Sequence, residues 1–157
     1  MGNSLKETFY IGFSDRDLQN PENLLTFGTI RIGEFEENFE VDGSYWDTAA
    51  YESRWNARLS DVCNDIRSGL IQSVAQSIDQ MNFIRIWKFY PSGELVFVQE
   101  QLVFADDKIA IIGGGELSLE KIESDIDPYE TTDKDGDKIS TWQTNKRAIR
   151  EFLKNKR

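Results

Sequence analysis

A chain of 157 residues, 39% of them hydrophobic, has the length of one ordinary domain and the apolar content for a single core, and it contains no apolar run near the roughly 18 residues that cross a bilayer. It has no histidine and a single cysteine, which excludes Ser-His-Asp and Cys-His catalysis, histidine-ligated metals, thiolate clusters and any internal disulfide. Eighteen Lys and Arg oppose 28 Asp and Glu; the net charge of -10 repels phosphate backbones and anionic membranes and favours basic partners.

The N-terminus, MGNSLKETFYIGFSD, lacks the basic start and apolar stretch of a signal peptide, and Lys6 breaks the myristoylation pattern. A soluble, cytoplasmic protein is expected, read as one domain over 1–157. Glu7 to Ser14 is rich in aromatic and β-branched residues and predicts a strand. Phe27 to Ile32 and Glu36 to Val41 predict a hairpin about Gly33, with Phe35, Phe39 and Val41 alternating against Glu36, Asn38 and Glu40. The segment Glu34 to Asp42 holds five acids and no base, so the hairpin's polar face would be almost wholly acidic. Such a face costs cross-strand repulsion, which hints at a use for the charge.

The clearest helix follows. Asp47 or Thr48 can cap it; Tyr51, Trp55, Leu59, Val62 or Cys63, and Ile66 recur at spacings of three and four; Gly69 can end it. Aromatics at helical spacing belong to a core more often than to a binding box. Three strands are expected next, at Leu70 to Ile78, Asn82 to Tyr90 and Glu94 to Phe104, the last two joined through Pro91-Ser92-Gly93. In the middle strand Ile84, Ile86 and Phe89 or Tyr90 alternate with Arg85 and Lys88, so one side faces the core and the other water or a helix. Gly113-Gly114-Gly115 lacks the spacing and the lysine of a phosphate loop and reads as a connection.

Glu120 to Asp137 then carries eight acids against two bases, whereas Lys138 to Arg157 carries seven bases against Glu151 alone. The basic end has helical spacing at Ile149, Phe152 and Leu153. Between them lies DKDGDKISTW. Counted as a calcium loop from Asp133, it offers Lys138 where glycine is needed and Thr144 where the bidentate glutamate is needed, so Asp135-Gly136 predicts a turn.

SYWDTAAYESRW, MNFIRIWKFY, VFVQEQLVF and DGDKISTWQT, in that order and spacing, resemble the immunity proteins of bacterial contact-dependent growth inhibition systems. The group they are most similar to pairs with nuclease toxins that attack ribosomal RNA. The likeness covers roughly Ile30 to Phe152. It implies an α+β domain in which a twisted, Whirly-like antiparallel sheet packs with one long central helix and a C-terminal helix. It also implies no catalysis and no cofactor or metal, with a one-to-one complex formed with the C-terminal domain of a cognate toxin. A nuclease cleft must attract phosphates and is therefore basic, so an acidic protein can be steered to it and cover it. The candidate toxin-binding residues are Glu34, Glu36, Glu37, Glu40 and Asp42 of the hairpin, and Asp125, Asp127, Asp133, Asp135 and Asp137 of the acidic loop. Two other classes stay open: a carboxylate enzyme, and a single-strand nucleic-acid binder stacking bases on Trp87, Phe89 and Phe97.

Overall fold

The structure, a computed structural model, describes residues 8–13, 25–43, 46–73, 83–104 and 119–155. Alternation of apolar and polar residues builds the first sheet from β1 (Phe9–Phe13), β2 (Leu25–Ile32) and β3 (Phe35–Asp42), antiparallel and in that order. The register pairs Ile11 with Ile30 and Phe9 with Ile32, which puts Phe9, Ile11, Ile30, Ile32, Phe39 and Val41 into one buried layer. The β2–β3 turn is formed by Gly33, whose φ of 63° suits glycine, and the Gly33 N–H donates to the Thr8 carbonyl.

Helix α1 (Thr48–Cys63) lays Tyr51, Trp55, Leu59 and Val62 on that layer. Of the two possible caps it uses Asp47, whose carboxylate accepts the Ala50 N–H at 2.8 Å. The helix stops earlier than its apolar spacing suggests. Asn64 closes it, Asp65 takes a φ of 68°, and Ile66 lies 51% exposed beyond the end. Gly69 terminates nothing; it sits in a strand, where a Cβ would stand 2.3 Å from the Ile86 side chain.

The second sheet has the order β4 (Ser68–Ile71), β5 (Phe83–Ser92), β6 (Leu95–Phe104) and β7 (Thr141–Asn145), all antiparallel. Of the run expected from Leu70 to Ile78, Leu70 and Ile71 lie in β4, Gln72 and Ser73 do not, and residues 74–78 lie outside the described residues. The GGG segment lies outside them too. Both faces of β5 are covered. Trp87 and Phe89 join the core shared with the first sheet, α1 and α3 (Lys146–Asn155), to which α3 adds Ile149 and Phe152. Ile84, Ile86 and Tyr90 face the other way, under Leu119 and Ile122 of α2 (Leu119–Ser124) and under Ile126. The α+β class is as expected, with the strands divided between two sheets. Among the described residues no helix is long and apolar enough to cross a membrane.

Candidate functional site

The ten candidate acids fall into groups with different surroundings. Glu34 is exposed in the β2–β3 turn. Glu36 and Glu40 point outward from β3; Glu36 accepts two guanidinium bonds from Arg31, at 2.6 and 2.9 Å, and Glu40 lies across from Phe27, a ring left 39% exposed. Asp42 ends β3 opposite Leu25, and its side chain lies outside the described residues.

Glu37 differs from its neighbours. Strand alternation turns it away from the Glu36 and Glu40 face and toward the second sheet. Its carboxyl is held above the ordinary glutamate range, first by partial burial and second by the like charge of Glu100, with Arg85 pulling the other way. The Arg85 guanidinium is itself paired with Glu100 at 2.6 Å. Glu37, Phe39 and Glu40 of β3 meet Gln72 and Ser73, which follow β4, and Arg85 of β5 around a cleft of about 580 Å³.

The acidic loop is tied down rather than free. Asp127 accepts bonds from Lys88 Nζ at 3.2 Å and the Tyr90 hydroxyl at 3.3 Å, and Asp125 lines a smaller cleft beside α2. Asp133 uses its carboxylate within the turn, where one oxygen accepts the N–H groups of both Asp135 and Asp137 at 2.9 Å. Gly136 supplies the positive φ of 86°, as the Asp-Gly reading of the turn requires. Asp135 and Asp137 are exposed.

Two acids escaped the sequence reading. Glu123 is 2% exposed and grips Arg54 at 2.5 and 3.1 Å, with Arg58 at 3.9 Å. Its spacing was the available signal, because Glu123 falls on the same face as Leu119, Ile122 and Ile126. Glu100, on a strand of alternating pattern, carried no comparable mark. Nor are the aromatics offered as a stacking platform open to bases: Trp87 and Phe89 are fully buried, Trp87 donates to Gln72 Oε1, and Phe97 is stacked against Tyr129. Among the described residues no three His, Cys, Asp or Glu side chains are grouped as metal ligands.

Comparison with known proteins adds to this geometry. A family model described as the CdiI N-terminal domain matches residues 41–152. The chain is 31% identical over 125 residues to Immunity protein CdiI of Enterobacter cloacae subsp. cloacae, covering 79% of this chain and 81% of that protein. It also matches one chain of a solved CdiA-CT/CdiI toxin and immunity complex from Enterobacter cloacae, with a TM-score of 0.75, 28% identity, and coverage of 94% of this chain and 97% of that one.

Proposed function

Because the chain belongs to the CdiI immunity protein family, we propose that it binds the C-terminal toxin domain of its cognate CdiA effector, one to one, and neutralises it in the cytoplasm without catalysis. The observation that carries this reading is the match, over nearly the whole chain, to a protein solved in complex with such a toxin. The charge gives it a mechanism. At -10 the chain attracts a basic surface, and a nuclease that must hold phosphates presents one at its active site. Steering of that kind raises the rate of encounter, and acids docked across a basic cleft keep substrate out. We therefore read the toxin as a nuclease, an RNase acting on ribosomal RNA, whose active-site cleft the immunity protein covers. Anchors come from the candidate acids that make no hydrogen bond or ion pair among the described residues, above all Glu34, Glu37 and Glu40 of β3 and its turn; Asp42 joins them by position. Of the loop acids, Asp125, Asp135 and Asp137 are exposed, while Asp127 and Asp133 hold local structure as well.

The test is a titration of purified toxin domain with this protein while RNA and DNA cleavage are followed. Loss of RNA cleavage at one equivalent is expected. A complex that forms while cleavage continues undiminished rejects occlusion, and cleavage of DNA but not RNA corrects the class of toxin.

A further inference from the structure

Resting on that reading, we infer that the cleft between β3 and the second sheet is a receptor for one cationic side chain of the toxin domain, an arginine or lysine that enters beside Glu37, with the outward-pointing Glu40 at the rim. The charges that line it show why a cation fits. Glu37, Arg85 and Glu100 form a group in which the only base already belongs to Glu100, through a 2.6 Å contact. Among the described residues neither Glu37 nor Glu40, which stands at the rim of the cleft, makes a hydrogen bond or ion pair. Among the described residues the acids at and beside the cleft, Glu37, Glu40 and Glu100, outnumber the base Arg85. The cleft also has one polar and one apolar wall, Gln72 beside the second sheet and Phe39 on the first, suited to a side chain with an aliphatic stem and a charged head.

Burial and Glu100 both disfavour the charged form of Glu37, with Arg85 opposing them, and an incoming cation beside it would favour that form. Outside the cleft, the ring of Phe27 lies cross-strand from Glu40 and provides apolar area for the body of the partner. An enclosed charge contact of this type acts on the lifetime of a complex, whereas exposed acids act on the rate of encounter.

The experiment measures association and dissociation rates with the purified toxin domain for the native chain and for Glu37→Gln, Glu40→Gln and Asp135→Asn, alongside the melting temperature of each. The proposal expects Glu37→Gln to bind about tenfold more weakly or worse, almost entirely through faster dissociation, while melting no lower than the native chain. Glu40→Gln should follow in the same direction, and Asp135→Asn should leave dissociation unchanged. Native-like binding by both Glu37→Gln and Glu40→Gln would overturn the receptor and leave the immunity reading intact. Equal loss in Asp135→Asn would overturn it too, because the effect would then be one of net charge. No binding by the native chain would overturn the functional reading and the receptor with it.

Discussion

Single carboxylates in this molecule do opposite things, and burial together with the nearest base decides which. Glu123 is almost wholly enclosed, and burial raises its pKa despite the hydrogen bond and charge of Arg54. Its pair with Arg54 joins α2 to α1, and Arg54 also lies 4.5 Å over the Trp46 ring. Removing one partner strands the other, so Glu123→Ala should lower stability by about 3 kcal/mol at pH 7, checked by denaturant unfolding. Glu37 has no such partner. In both residues the folded chain keeps its proton to higher pH than the unfolded chain, so the stability each adds is greatest below the ordinary value of 4.5 and falls as pH rises through the window above it. Glu37→Gln removes its share of that fall. Its melting temperature should therefore gain on that of the native chain between about pH 4.5 and neutrality, and a gap that closes instead would contradict the direction of the shift.

At the scale of elements, what was legible in the sequence is what local periodicity determines. The first hairpin, the start of α1 at Asp47 and the face of α3 bearing Ile149 and Phe152 all follow from spacing and turn chemistry, whereas the turn expected at Pro91-Ser92-Gly93 falls later, on Gly93 and Glu94, because Pro91 and Ser92 still pair with Val96 and Leu95. The end of α1 did not, because Ile66 continues the helical spacing while the backbone at Asn64 and Asp65 already leaves the helix. The division into two sheets and the cover that α2 gives β5 depend on contacts between distant segments, which no local pattern encodes. The inter-sheet cleft shares that origin: the ten candidate acids were visible as charge, but only the fold separates Glu37 from Glu36. The Asp133 turn gives a prediction at this scale. Its carboxylate is occupied by two backbone N–H groups, so Asp133→Ala should cost about 1 kcal/mol, and added calcium should leave the melting temperature of the native chain unchanged. A clear rise with calcium would contradict the turn.

At the scale of the molecule, charge and function fit together without a chemical step. The acids are spread along β3 and the loop before β7, while the bases of α3 are partly answered from within, Arg150 by Glu94, Arg147 by Glu151 and Lys146 by Asp65. The surface left unanswered is acidic. A fold with two packed sheets and a doubly covered β5 holds that surface in place, in keeping with an inhibitor that must meet its target already shaped. Neutralisation of a cognate toxin is tested by the survival of cells expressing the cognate toxin domain, with and without this protein. Full survival together with co-purification of a one-to-one complex is the predicted result. Undiminished killing with no complex recovered would contradict the account, leaving only the family fold.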